Sequence, residues 1–375
     1  MKLYLVAGEA SGDARGAELI HSLRALRPGI EFRGFGGPQI AALAGQEFIH
    51  DWIGRAAVVG INDVIKNYGY FRSQLALAKA EIESEKPDAV VLIDYPGFNL
   101  RLAAAVRKAG SPVKIIDYIS PQVWAWNRAR IPGMARTLDL MICIFPFEKP
   151  LYEQSGLKTV FAGHPMLDSL PAKRLGTPRE DRLLGLLPGS REREIRKIFP
   201  IMLEAAAILA GSRPGLRIAA SAASEIMRER MEEIARQYPG VSCEITVKNA
   251  HDLMQRATAA MVASGTATLE AAYFGLPFVL LYKTAWLTFF LGSRLVKVKW
   301  LGMPNILANR EVVQEFIQDD AQPAAIAAAL SPLLDDPAAR TAFQANLEAV
   351  IATLGAPGAS DRAATAILEA LPENS

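Results

Sequence analysis

LLGLLPGSRERE, residues 183–194, sits near the middle of the 375-residue chain. Apolar residues and Gly185 run as far as Pro188-Gly189, and after Ser190 a charged, helix-compatible segment begins with Arg191. This spells a strand, a tight turn and a helix start. Such a turn turns backbone N–H groups toward the positive end of a helix, and Ser190 and Arg191 add a hydroxyl and a guanidinium suited to phosphate oxygens. The N-terminus has the same grammar: the strand KLYLVAG (Lys2 to Gly8), the loop EASGD (Glu9 to Asp13), then a helix. A chain that starts its fold twice predicts two α/β units.

Length and composition agree. At 51% hydrophobic, a chain this long can bury two cores. The 41 basic and 39 acidic residues nearly balance, so no global charge points to nucleic acid. Cys143 and Cys243 stand singly and four His are scattered, which offers no zinc spacing. The N-terminal apolar run stops at Glu9, too short for a signal peptide, and no stretch offers about 18 uncharged apolar residues for a spanning helix. The expected compartment is the cytoplasm.

Outward from the central motif, strands alternate with helical patterns. In the first half the strands are expected at Glu31 to Gly37, Asp88 to Tyr95, Val113 to Ser120 and Asp139 to Phe145, with helices from Asp13 to Leu26, near Pro38 to Ala44 and from Val59 to Lys86. Runs apolar on both faces belong to buried parallel strands. Pro165 to Arg182 reads as a linker, after which strands recur at Leu183 to Leu187, Leu216 to Ala220, Val241 to Val247, Ala259 to Ala263 and Phe278 to Tyr282. From Pro323 the chain is Ala-rich and helical. The expected architecture is two doubly wound Rossmann-like domains, residues 1–168 and 169–345, facing a central cleft, with a helical tail, 346–375, able to pack back on the first domain.

Within that frame several residues invite chemistry. Asp94 closes an otherwise apolar strand in LIDYPGFN, where a carboxylate is costly unless it faces a ligand. EASGD brings Glu9, Ser11, Gly12 and Asp13 to another strand end, and Ser11 or Asp13 could equally be a helix cap. Trp124 and Trp126, in ISPQVWAWNRARI, are either platforms for a sugar or apolar ligand, or core. In VASGTATLE, the small residues Ser264, Gly265 and Thr266 let a phosphate approach the backbone, and Glu270 can accept from ribose hydroxyls. With Gly189, Ser190 and Arg191 they describe a nucleoside diphosphate site. No Asp-x-Asp pair is present to hold a metal there, so Arg191 and backbone dipoles are expected to carry the charge, with no metal and no cofactor. Val58 to Leu75 shows apolar residues at helical spacing, and Thr284 to Trp300 mixes aromatic with basic residues as an anionic membrane surface would require.

Taken together, VAGEASGD, FRGFGGP, IDYPGFN, the ISPQVWAW run, LLPGSRERE, ASGTATLE and MPNILANREVVQEF resemble the lipid-A-disaccharide synthase family, from Leu5 to about Phe316. The resemblance implies an inverting GT-B glycosyltransferase. Its donor would be UDP-2,3-diacylglucosamine, its acceptor 2,3-diacylglucosamine 1-phosphate, and its products a β-1,6-linked disaccharide 1-phosphate and UDP, made at the inner face of the Gram-negative inner membrane. It implies Asp94 at the reacting centre; Glu9 and Asp13, carboxylates on a neighbouring strand-end loop, are the rival bases on the residues alone. Arg191, Glu270, Asn305, Arg310 and Glu311 fall on the UDP-sugar side. The alternatives are a UDP-sugar 2-epimerase of the same architecture and a non-catalytic nucleotide-sugar or lipid-binding protein.

Overall fold

The computed structural model describes residues 1–56, 68–176, 178–284 and 299–372. The chain divides into two compact units, Met1–Asp168 with Leu354–Ser375, and Ser169–Thr353.

The sheet of the first unit has seven parallel strands in the order β3-β2-β1-β4-β5-β6-β7. They are β1 (Lys2–Ala7), β2 (Glu31–Gly36), β3 (Ile49–Asp51), β4 (Ala89–Ile93), β5 (Lys114–Tyr118), β6 (Leu140–Cys143) and β7 (Thr159–Phe161). β1 and β4, the central pair, are buried almost throughout, as strands covered on both faces must be. Alternate residues feed two cores. Leu3, Leu5, Val91, Ile93 and Ile116 face α1 (Ala10–Leu26) and α2 (Pro38–Ala44). Tyr4, Val6, Val90, Leu92 and Ile115 face the side covered by α3 (Tyr68–Glu85) and α4 (Pro96–Lys108). The short helices α5 (Ile131–Thr137) and α6 (Glu148–Glu153) add Ile131, Met134 and Tyr152 to this second core.

The second sheet has six parallel strands in the order β10-β9-β8-β11-β12-β13, namely β8 (Leu183–Leu187), β9 (Arg217–Ala222), β10 (Cys243–Val247), β11 (Ala259–Ala263), β12 (Phe278–Tyr282) and β13 (Glu315–Ile317). Around it lie α7 (Glu192–Gly211), α8 (Ala250–Arg256), α9 (Thr266–Tyr273), α10 (Met303–Ala308) and α11 (Pro337–Ala352). α7 is amphipathic and buries Ile195, Ile198, Phe199, Met202 and Leu209 against β8 and β11. Truncating any of the larger ones to Ala would cost about 2–5 kcal/mol.

The chain leaves the second unit at Thr353, and α12 (Ala359–Glu369) lies on α1. Ala363, Ala364, Ala366 and Ile367 enter the first unit's core, and small side chains permit this close helix packing. Asp168 accepts from the backbone N–H of Ala359 at 3.0 Å, and Ser22 donates to Asp361 at 2.6 Å. The last helix is thus capped by a side chain some 190 residues upstream.

One expectation changes in detail, and two fall largely outside the described residues. α1 starts at Ala10 rather than Asp13, so Ser11, Gly12 and Asp13 form its first turn. The face from Val58 to Leu75 lies largely outside the described residues, and its described end is core: Phe71 and Leu75 pack with Trp52, Ala78 and Ile82, while Tyr68 is exposed. Most of the Thr284 to Trp300 stretch lies outside them too.

Candidate active site

Both sheets reverse strand order once, between β1 and β4 and between β8 and β11. Ligands of doubly wound sheets bind beyond the carboxyl ends of strands at that point.

In the first unit, Ala7 pairs with Ile93, so Gly8 and Asp94 emerge side by side. Asp94 and Tyr95 both adopt left-handed backbone, with φ of 51° and 50°, and Ile119 beyond β5 has φ of 70°. Each such non-Gly residue costs on the order of 1–3 kcal/mol, a strain that clusters at functional sites. Three contacts hold the turn. The Tyr95 hydroxyl donates to the Ala56 carbonyl at 2.8 Å. Its ring fills the space beside Gly8, where a Cβ would lie 2.2 Å from Cδ1. The buried Asn99 amide donates to the Asp94 carbonyl at 2.6 Å. Pro96 then opens α4 with its φ already fixed. A strained strand-to-helix turn therefore presents Asp94 at the switch point, and burial raises its pKa, partly opposed by the Tyr95 N–H.

Asp94 has buried acidic neighbours. Asp117 is 1% exposed on β5, with Oδ1 unpartnered among the described residues. Burial, then the charges of Asp94 and Glu148, push its pKa well above the carboxylate range. Glu148, fully buried, accepts from the Trp124 indole at 2.9 Å and from the Phe145 N–H at 3.1 Å, and burial brings its pKa up to about 7. Burial disfavours the ionised form of both carboxyls, and the mutual charge of Asp94 and Asp117 raises Asp117 further.

The other expected residues of this unit divide. Glu9, exposed, is the N-cap residue of α1, and its charge is felt by Tyr95. Ser11 is exposed and Gly12 buried beneath it. Asp13 is corrected: it is 1% exposed and accepts from the N–H groups of Gly37, Gln39 and Ile40 at 2.9, 3.0 and 3.0 Å. A carboxylate committed to the start of α2 is a structural cap, not a base. Trp124 is core, edge-on to Phe147 at 4.9 Å. Trp126 is 45% exposed, with the Arg130 guanidinium over its ring at 5.3 Å.

In the second unit, Gly189 turns the chain with φ of 103° after β8. Ser190 is exposed, and Arg191, the N-cap residue of α7, meets Glu194 at 3.2 Å while leaving 70% of its side chain in solvent. Beyond β11, Gly265 takes φ of 145° at the start of α9, with Ser264 and Thr266 beside it. Glu270, one turn on, lies 3.3 Å from the His251 ring nitrogen of α8. These loops follow the two strands flanking the switch point, since Leu187 pairs with Val262. Arg310 and Glu311 are exposed beyond α10, Arg310 donating to Asn346 at 2.7 Å. Asn305 is corrected. It is fully buried, donates to the Val313 carbonyl and Glu315 at 2.7 and 2.8 Å, and accepts from the N–H groups of Val312 and Val313 at 2.7 and 2.9 Å. With both donors and its acceptor used, it ties α10 to β13 and shapes the loop bearing Arg310 and Glu311.

A lipid-A-disaccharide synthetase family model matches residues 3–369. The lipid-A-disaccharide synthase of Trichlorobacter lovleyi is 40% identical over 383 aligned positions, covering 100% of this chain and 98% of that protein. The chain belongs to the lipid-A-disaccharide synthase family. Membership makes it a glycosyltransferase of lipid A disaccharide synthesis, and the epimerase alternative is not favoured. Solved structures agree on the GT-B fold alone. MurG of Acinetobacter baumannii matches with a TM-score of 0.56 at 14% identity over 98% of this chain and 99% of that one. A UDP-GlcNAc 2-epimerase of Neisseria meningitidis bound to UDP-GlcNAc matches with a TM-score of 0.56 at 14% identity over 99% of each.

The buried acids Asp117 and Glu148 are the residues that the sequence alone did not single out. Asp117 carries the signal that singled out Asp94, a carboxylate in an apolar strand, but VKIIDYIS read as apolar on both faces. Glu148 has a measurable consequence. Its folded-state pKa is raised from 4.5 to about 7, so the folded protein binds more protons than the unfolded chain in that interval and stability falls as pH rises through it. Glu148→Gln is expected to remove that fall, on the order of 3 kcal/mol. Denaturant midpoints at both ends of the interval check this, and an unchanged slope in the variant would refute it.

Proposed function

We propose that the protein condenses UDP-2,3-diacylglucosamine with 2,3-diacylglucosamine 1-phosphate to give the β-1,6-linked disaccharide 1-phosphate and UDP. The second domain takes the UDP-sugar: the Gly189 to Arg191 turn and the Ser264 to Thr266 turn offer N–H groups, hydroxyls and a guanidinium to the diphosphate, and Glu270 accepts from the ribose. Arg310 and Glu311 line its sugar side. The first domain takes the acceptor, and Asp94 removes the proton from the attacking hydroxyl. A β linkage from an α-linked donor requires inversion by direct attack, which needs one positioned base and no covalent intermediate. The observation that carries this reading is Asp94 itself, held on a strained turn at the sheet's switch point.

Acylated substrates favour work at a membrane surface, since extracting a chain costs about 0.8 kcal/mol per CH₂. No helix among the described residues is long and apolar enough to cross a membrane. The reading is therefore peripheral association at the inner face of the inner membrane, helped by the basic and aromatic stretch from Thr284 to Trp300. With both lipids in anionic vesicles, the protein is expected to float with the vesicles and to release UDP. UDP release, or a changed sugar, from the donor alone would contradict the reading.

A further inference from the structure

The motif that presents Asp94 also opens a groove that no role so far accounts for. Pro96, Gly97, Leu100, Arg101 and Ala104 form one face of α4, and Arg130, Gly133, Met134, Arg136 and Thr137 line the opposite wall along α5. The groove between them has a volume of about 450 Å³. Its lining combines apolar Leu100, Ala104 and buried Met134 with three arginines. Nothing crowds the position of a Cβ on Gly97 within 4 Å, and on Gly133 only the Arg136 Nη2 comes as near as 4.0 Å.

The three arginines are unlike the rest of the neighbourhood. Arg107, two turns further along α4, is spent on structure: it pairs with Asp139 and donates to the carbonyls of Thr137, Ser111 and Val113. Arg101, Arg130 and Arg136 are all exposed, and among the described residues none of them pairs with a carboxylate. Among the described residues, Arg130 stacks over the Trp126 ring. Three cations around one groove, none paired with a carboxylate among the described residues, repel one another, and a doubly charged phosphate relieves that repulsion while accepting forked hydrogen bonds from Arg.

We propose that this groove binds the phosphate monoester of the acceptor lipid, with Arg101 and Arg136 as its principal ligands and Arg130 at its mouth. The inference rests on the acceptor being held by the first domain. Position supports it, because the groove begins at Pro96, two residues from Asp94, and an acceptor sugar places its reacting hydroxyl and its anomeric phosphate on opposite sides of one ring. The site then selects a phosphorylated acceptor and orients the opposite hydroxyl toward the base.

The test is steady-state transfer in mixed micelles from UDP-2,3-diacylglucosamine to 2,3-diacylglucosamine 1-phosphate and to the same lipid with its phosphate removed, for the wild type and for Arg101→Gln/Arg136→Gln. The wild type is expected to favour the phosphorylated acceptor. In the double variant KM for that acceptor should rise at least about tenfold with kcat little changed. KM for the dephosphorylated lipid should stay at the wild-type value, as should binding to phosphatidylglycerol vesicles. Equal losses with both acceptors, or no change in either, would overturn the proposal. Loss of vesicle binding with an unchanged micellar KM would assign the groove to headgroups and overturn it as well. No transfer by the wild type to either acceptor would overturn the functional reading and this inference with it.

Discussion

Asp94→Asn is expected to lower turnover by roughly 10² to 10⁴, the range that a positioned general base supplies, while UDP affinity stays at the wild-type value. The substitution keeps size and polarity but cannot take a proton. It is also gentle on the fold. Asn tolerates left-handed backbone better than most residues, and the Asn99 amide holds the backbone carbonyl of residue 94 rather than its side chain. The pH profile gives an independent check. Burial raises the Asp94 pKa and the working form is the carboxylate, so kcat/KM in the wild type is lost as pH falls through a value above the ordinary carboxylate range. That limb should be missing from the residual activity of the variant. Near-normal turnover in Asp94→Asn would remove Asp94 as the base and leave Glu9, the exposed carboxylate at the start of α1, as the next to replace.

Arg191→Ala should weaken UDP binding at least tenfold, since removing a charge-assisted contact to phosphate costs about 1.5–3 kcal/mol. Stability should hardly move. The Arg191 pair with Glu194 is solvent-exposed, and pairs of that kind contribute roughly 0–1 kcal/mol. A loss of affinity without a loss of fold separates a ligand contact from a structural one. Calorimetric binding and a denaturant midpoint on the same sample would show it, and wild-type affinity would refute it.

The fold was legible where burial is two-sided. β1, β4, β8 and β11 are central in their sheets, so beyond Lys2 and Gly185 their sequences are apolar or aromatic throughout, and the loops that follow them hold the candidate site. β3, β7 and β13 escaped because each is three residues long, too short for any period to show. The roles of individual polar residues were less legible, because their partners are distant in sequence. Asp13 looks like a candidate base until its oxygens are seen to receive N–H groups 24 to 27 residues away. Asn305 has a ligand-binding composition around it, yet its amide is used up on the strand it stabilises. Asn99 was quoted within a motif without a role, and the hydrogen bond that gives it one runs to the backbone carbonyl of Asp94, the proposed base.

The central claim is a division of labour, with donor recognition in the second domain and the base in the first. Its most direct test is a calorimetric titration of UDP into Asp94→Asn and Arg191→Ala side by side with the wild type. The account predicts wild-type affinity for Asp94→Asn and at least about tenfold weaker binding for Arg191→Ala. Loss of UDP binding in Asp94→Asn, or its retention in Arg191→Ala, would contradict it.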